Sequence, residues 1–460
     1  LQMIRVHLYR NRYAIAIVLL ASLVYAMGVH SAAVLAGAVA FVLYYLSPDP
    51  DKILQIYSRP GKWHWLKFRL MRFVIGHRQQ KTAKETVKVD DLMNTEFGGT
   101  GIRSIKDLES KHTFPADKAT PQGYFQSSPA EAVFFDASNN DGYYFTLGTA
   151  QRADNIINLF FLLRIPGKGT YMAPEMLTNT NVESVSSSTE WATKSGFRVK
   201  CVEPMKKWTL SFDGNIIVSA GQRVFHTVGA DSEENLKGVE LIPAKFEFTW
   251  TNFGDHFDFD KSVSPTSIAH SLALEPWSKQ LFEKLKDSHQ SHYEQFGFLE
   301  GAVEVGGEKI DNLRMTSMRD HTITAYRNWS DLRRYIMMIY HLDDGTCIHT
   351  SLISMPETVF SHLEFGYVVT PEGKNYAVDR IHLHLSDVGE VKGEFPKYFN
   401  YSFEAGPLKY DVKVNIIDTV SFKIGEKLET YVDENMATFE VNNGLKGRGF
   451  IEAEYRITPY

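Results

Sequence analysis

Cysteine is nearly missing. The 460 residues hold two, Cys201 and Cys347. Two thiols can build neither a disulfide framework nor a thiolate zinc cluster, and such a chain suits a reducing compartment. The Asn-x-Ser triplets at Asn328 and Asn400 would matter only in a lumenal chain. There is no Gly-x-Ser-x-Gly elbow, so a serine hydrolase has no support. Gly167-Lys-Gly169 lacks both the spacing and the hydroxyl residue of a phosphate loop. No short-period repeat or low-complexity tract is present, and no cofactor or resident metal is expected. Charge is absent from one long stretch: Tyr13 to Leu46 contains no Asp, Glu, Lys or Arg.

The charge that is present is unevenly placed. Residues 1–81 carry 11 Lys/Arg against two Asp/Glu, and the remaining chain carries 38 against 53. A basic, apolar leader suits anionic lipid headgroups, and an acidic body argues against nucleic acid as a partner. A spanning helix takes about 20 residues. The charge-free run is too long for one ordinary span and short for two. Gly28, His30 and Ser31 near its middle suit a turn, and basic residues on both flanks (Arg5, Arg10 and Arg12; Lys52, Arg59, Lys62 and Lys67) place both ends on the cytosolic side. Residues 1–50 are therefore expected to form a transmembrane anchor, as a helical hairpin or as one long tilted helix. Residues 51–80 are expected to form an amphipathic helix. Trp63, Leu66, Leu70 and Phe73 recur at helical spacing, interleaved with basic residues, so Trp63, Trp65, Lys67, Arg69 and Arg72 are candidates for the membrane interface. The alternative is a helix packed on the soluble body. Residues 81–123 read as a polar linker.

From about residue 124 the period changes to two. Glu131-Ala-Val-Phe-Phe, Lys207-Trp-Thr-Leu-Ser-Phe, Lys245-Phe-Glu-Phe-Thr-Trp and Ile381-His-Leu-His-Leu alternate. Asp141-Gly, Asp213-Gly and Asp344-Gly mark turns between such runs. This pattern predicts antiparallel sheet in a barrel or sandwich, with a helical exception near 275–295.

Four segments occur in order: Glu203-Pro-Met-Lys-Lys-Trp-Thr-Leu-Ser-Phe-Asp-Gly214; His292-Tyr-Glu-Gln-Phe-Gly297 with Gly301; Met318-Arg-Asp-His-Thr-Ile-Thr-Ala-Tyr-Arg-Asn-Trp329; and Gly447-Arg-Gly-Phe-Ile-Glu-Ala-Glu-Tyr-Arg456. Over roughly 125–460 this set resembles the AttH-like superfamily that includes the carotenoid hydratases (hydroxyneurosporene synthases). The resemblance implies a mainly β fold of two consecutive lipocalin-like (calycin) antiparallel barrels behind the membrane segment, taken here as 124–299 and 300–460. In the hydratases it implies an apolar polyene ligand and acid-catalysed addition of water. The family segment usually reads Arg-Asp-His-Ser-x-Gly-x-Arg-x-Trp. Here Thr322 replaces the Ser, the Gly is missing and one extra residue precedes Arg327, so inherited chemistry is less secure than the fold.

Two readings of Arg319, Asp320, His321, Arg327 and Trp329 follow. Asp320 and His321 form a candidate acid/base pair, with Trp329 shielding a cation and Arg319 and Arg327 contacting a ligand. Alternatively, Arg319, Asp320 and Arg327 form a structural ion-pair network. Trp250 and Phe248 are candidate cavity-lining residues, or core. Asp255-His256-Phe-Asp258-Phe-Asp260 has metal-ligand residue types without a second ligand cluster, and reads as an exposed acidic segment. His382 and His384 read as a polar strand face. The leading functional expectation is a membrane-anchored binder or handler of lipid or another apolar small molecule, working alone or in a larger membrane complex. A hydratase or isomerase for an isoprenoid-like substrate and a non-catalytic scaffold that recruits a partner are the alternatives. The expected location is an endomembrane such as the endoplasmic reticulum, with the body cytosolic.

Overall fold

A computed structural model describes residues 17–19, 21–22, 25, 29–84, 109, 130–152, 154–187, 189–219, 235–287, 291–324, 329–356, 358–390, 395–425 and 428–456. Helix α1 spans Val29–Leu46 and ends just before Pro48, whose ring disfavours continued helix. Among the described residues no helix is long and apolar enough to cross a membrane. The expected transmembrane hairpin therefore has no support here, and most of residues 1–28 lie outside the described set.

The expected helix over 51–80 begins later. Pro60 and Gly61 delay it, and α2 spans His64–Lys84. The segment before it turns back at Ile53–Tyr57 and buries Tyr57, whose hydroxyl donates to Glu390 at 2.8 Å. Helix α2 has two unlike faces. Lys67 donates to the Glu275 carbonyl at 2.8 Å, and Met71 and Ile75 pack on the body. On the other face Trp65, Leu66, Leu70 and Phe73 are exposed, with the Arg69 guanidinium 4.7 Å from the Trp65 ring.

The body is mainly β, in two large antiparallel sheets. The first contains β1 (Ala130–Ser138), β2 (Tyr144–Gln151), β3 (Ile156–Ile165), β4 (Gly169–Met172), β5 (Asn181–Glu183), β6 (Glu190–Ala192), β7 (Arg198–Glu203), β8 (Lys207–Val218), β9 (Ile242–Asn252), β10 (Phe257–Asp258), β11 (Ser291–Val305) and β12 (Glu308–Thr324). Pairing runs β11–β12–β1–β2–β3–β4–β8–β9 and returns to β11, so the sheet closes on itself. A four-residue helix, α3 (Glu175–Thr178), lies between β4 and β5. Helices α4 (Pro265–Leu274) and α5 (Lys279–Asp287) precede β11, which takes over the end of the stretch expected to be helical. The second sheet is a closed barrel of β13 (Arg334–Leu342), β14 (Cys347–Ser354), β15 (Leu363–Val369), β16 (Asn375–His382), β17 (Tyr398–Ala405), β18 (Leu408–Ile424), β19 (Thr430–Val441) and β20 (Leu445–Arg456). The expected division at 299/300 falls inside β11. β11 and β12 form one long hairpin that completes the first sheet, and the change of sheet comes between Thr324 and Arg334.

Alternation in these strands sorts side chains onto two walls. In β9, Phe246, Phe248 and Trp250 point inward and Lys245 and Glu247 outward. The first interior is filled by rings: Phe197 lies 4.1 Å from Phe212, and Phe145 lies 5.3–5.7 Å from Phe161, Phe246 and Phe248. The second is filled around Tyr340, stacked 4.0 Å from Phe439, with Tyr401 and Phe403. Among the described residues, aromatic rings thus fill much of both interiors.

The outer wall of the first barrel packs on the second. Phe160 stacks on Phe422 at 5.1 Å and Phe257 on Tyr367 at 4.3 Å; the Tyr144 hydroxyl donates to the Ala437 carbonyl and Arg164 pairs with Asp418. This seam also contains carboxyls. Glu294 is opposed by burial, but His349 and His292 outweigh that and pull it down to about 2. Burial pushes Asp136 up, and pushes Glu434 and Glu454 up to about 8.

A carboxyl raised in the folded state is fully stabilising only below its unfolded value; its contribution is lost as pH climbs to the folded value. Glu434→Gln is therefore expected to gain stability over the parent between about pH 4.5 and about pH 8. The gain is about 1.4 kcal/mol per pH unit for one proton. Urea denaturation across that range checks this; parallel stability curves would refute it.

Candidate functional site

In β12 the triplet Arg319-Asp320-His321 lies in extended strand, so its neighbours face opposite ways. Arg319 and His321 point into the first barrel, fully buried. Asp320, in register with Phe134 and Glu294, belongs to the outer wall. The expected Asp320–His321 acid/base pair is thus divided by the strand itself.

The interior pair is completed from neighbouring strands. β11 supplies Tyr293 and Gln295, opposite His321 and Arg319, and β1 supplies Glu131. Glu109, which belongs to no strand, supplies a second carboxylate. The Tyr293 hydroxyl donates to Glu109 Oε1 at 2.7 Å and lies 2.7 Å from His321 Nδ1. His321 Nε2 faces Glu131 Oε1 at 3.3 Å. Since the phenol's one hydrogen goes to Glu109, the imidazole donates from Nδ1 to the phenol oxygen. Arg319 Nη2 bonds both Glu109 and Gln295, and the backbone N–H of Met205 donates to Glu109 Oε2. Met205 sits in the left-handed region (φ 67°) at the β7–β8 turn, an uncommon conformation for a side chain of this size, and Gln295 donates to its carbonyl at 3.2 Å.

Aromatic faces enclose the group. The guanidinium carbon lies 4.9 Å from the Trp250 ring, 5.2 Å from Trp208 and 5.5 Å from Tyr293. Trp191 meets His321 edge-on at 5.5 Å and donates to the Glu131 carbonyl. Gly297 makes room: a Cβ there would stand 2.5 Å from the Trp250 ring. Burial, followed by the Glu109 charge, pushes the Tyr293 hydroxyl well above its ordinary range, with Arg319 acting against them. Donors outnumber acceptors: Arg319 Nε and Nη1 and the indole N–H groups of Trp208 and Trp250 are buried with no hydrogen-bond partner among the described residues.

Of the expected site residues, the fold brings together Arg319, His321 and Trp250. Phe248 lies in the ring cluster of the same interior. Trp329 is buried in the core where the barrels meet, and Arg327 lies outside the described residues. Glu109, Glu131, Tyr293, Gln295, Trp191 and Trp208 were not expected as site residues, although Tyr293, Gln295 and Trp208 stand within the quoted motifs. Among the described residues no three His, Cys, Asp or Glu side chains converge as a metal site. Asp258, from the acidic segment, is paired with Lys261 at 2.9 Å.

The fold and site define a tandem β-barrel protein with a buried, donor-rich acid/base cluster in the first barrel. Residues 33–454 match a family of unknown function, DUF8627, and the chain belongs to that family. No curated protein matches it in sequence. Among solved structures, it is similar to a putative AttH from Nitrosomonas europaea (10% identity, 74% of this chain and 97% of that one, TM-score 0.46). It is also similar to kievitone hydratase from Nectria haematococca (12%, 75% and 94%, 0.39) and to CghA (10%, 75% and 96%, 0.40). Likeness at this level carries no chemistry to the present chain.

Breaking a buried ion pair from one side strands the other charge, at about 3–5 kcal/mol. Arg319→Met and Glu109→Gln should each lower stability, and the double variant should lose less than the sum. Denaturant titration of the four proteins gives the coupling; a value near zero would mean Glu109 and Arg319 do not interact.

Proposed function

We propose that the chain is a hydratase-type lyase, or an isomerase, acting on an apolar, isoprenoid-like substrate, with its chemistry in the first barrel. The reading is carried by one observation: a buried phenol hydroxyl stands between an acceptor site and an imidazole that can reprotonate it. Tyr293 carries its proton at neutral pH, as a phenol does, and holds it beside His321 Nδ1. In the proposed step the Tyr293 proton adds to one carbon of a double bond, and His321 Nδ1–H returns a proton to the phenolate. The π faces of the enclosing indoles attend the electron-poor neighbouring carbon. Water then adds there and loses one proton to the His321–Glu131 pair, which gives hydration; loss of a proton from the adjacent carbon instead gives a shifted double bond. Asp320, on the outer wall, has no part in this sequence.

Incubation with the short acyclic isoprenoids geranate and geraniol in H₂¹⁸O tests it. A product heavier by one labelled water, or a shifted isomer, is expected. Tyr293→Phe should cut turnover at least about 100-fold while circular dichroism stays unchanged. Full turnover by Tyr293→Phe would refute the assignment.

A second reading concerns location and is favoured by a separate observation. Helix α1 exposes Val34, Phe41, Val42, Tyr44 and Leu46, and α2 exposes Trp65, Leu66, Leu70 and Phe73 beside Arg69 and Arg72. Apolar and aromatic side chains bordered by cations suit a bilayer surface with anionic headgroups. We propose that this end of the molecule seats on such a membrane. In flotation assays the protein should rise with phosphatidylcholine/phosphatidylserine vesicles, and Arg69→Glu with Arg72→Glu should weaken that binding several-fold. Equal flotation of parent and variant would remove the electrostatic part of the reading.

A further inference from the structure

The cluster around Arg319 has more donors than the described residues supply acceptors for. Arginine and tryptophan donate and never accept. Arg319 spends one nitrogen, Nη2, on both Glu109 and Gln295 and leaves Nε and Nη1 without a partner among the described residues, at full burial. The indole N–H groups of the two tryptophans against its faces are also unpartnered. An orphaned buried donor is destabilising, so four at one place make this a costly way to build a core. A planar oxyanion answers such a set, because the guanidinium fork accepts two oxygens side by side.

An oxyanion already sits there, and it comes from outside the barrel. The Glu109 carboxylate receives the Tyr293 hydroxyl, Arg319 Nη2 and the Met205 backbone N–H, from residues 96 to 210 positions away in sequence. Met205 takes a left-handed conformation to present that N–H. We infer that this recess is a binding site for the carboxylate of an apolar, isoprenoid-like acid, and that Glu109 occupies it as an internal stand-in. The inference rests on the proposed lyase reading and narrows its substrate class. A neutral hydrocarbon leaves Arg319 buried without a counter-charge once Glu109 is displaced, and a cation is repelled by it. A substrate carboxylate restores neutrality. Held on the guanidinium, it sets its apolar chain among Trp208, Trp250 and Phe135, whose ring lies 5.9 Å and 6.2 Å from the two indoles, and leaves the Tyr293 proton for the double bond.

The test uses the full chain, with geranate as probe and geraniol, which has the same chain and no carboxylate, as control. Glu109→Gln is expected to bind geranate at least about tenfold more tightly than the parent. That corresponds to removing a competing anion worth about 1.4 kcal/mol. Geraniol binding should change less than twofold, and adding Arg319→Met should abolish the geranate gain. Titration calorimetry gives the affinities, and circular dichroism verifies the fold. Glu109→Ala, which also removes the anion and should show the same gain, serves if the Gln variant does not fold. Geranate binding that is no tighter in the variant than in the parent, equal gains for geranate and geraniol, or no binding of either probe would overturn the inference. A selective geranate gain without turnover of either isoprenoid keeps the recess and removes the lyase reading. Turnover without a carboxylate preference does the reverse.

Discussion

A single buried cation organises the first barrel. Arg319 has no exposure to solvent, so its charge must be neutralised from within. Glu109 brings the charge, Gln295 brings a carbonyl oxygen, and three aromatic faces supply the softer part of the environment. Several local features follow from this demand. Gly297 lacks a side chain so that Trp250 can lie beside the guanidinium, Met205 adopts an unfavourable backbone angle to reach Glu109, and Gln295 is fixed at both ends of its amide. The Tyr293–His321–Glu131 chain is then held in a dry environment, where proton positions are set by fixed partners and not by water.

The second barrel has a counterpart at one end. Arg334 is buried across the Tyr455 ring and donates to Glu390 and to the carbonyls of Leu385 and Val388, while Tyr57 adds its hydroxyl to the same carboxylate. Here Nη1 and Nη2 each meet two acceptors, half of them backbone carbonyls, and only Nε lacks a partner among the described residues. The contrast separates a structural arginine, well supplied with acceptors, from one left with donors to spare.

How far this was legible in the sequence depended on distance along the chain. Phe246, Phe248 and Trp250 alternate with polar residues in β9, and that local period was enough to read a half-buried strand. Residues within the quoted motifs fell into one cluster: Trp208, Tyr293, Gln295, Arg319 and His321. Their spacing could not say which face each would take. Asp320 and His321 look like partners when written in a row, and a strand sends them to opposite walls. Glu109 was invisible as a site residue because its partners are 96 to 210 positions away and nothing in its neighbourhood repeats. The division between sheets was misplaced because hydrophobic period marks strands and not which sheet they join; the β11–β12 hairpin is continuous in pattern across residue 300. The charge-free run up to Leu46 gave a true signal of apolar exposure, whereas its passage through a bilayer would need a longer apolar helix than the described residues provide.

β1, β11 and β12 serve two masters at once. One side of each carries the acid/base cluster and the other carries the seam with the second barrel, so Arg319 and Met318, or Tyr293 and Glu294, are consecutive residues with unrelated duties. Inserting or deleting one residue there would exchange the two sets wholesale, casting the guanidinium into the seam and a methionine into the cluster. Variation in chain length should consequently be confined to the turns at the ends of these strands, and the partition between the barrels acts as a frame-keeper for the chemistry on its far side.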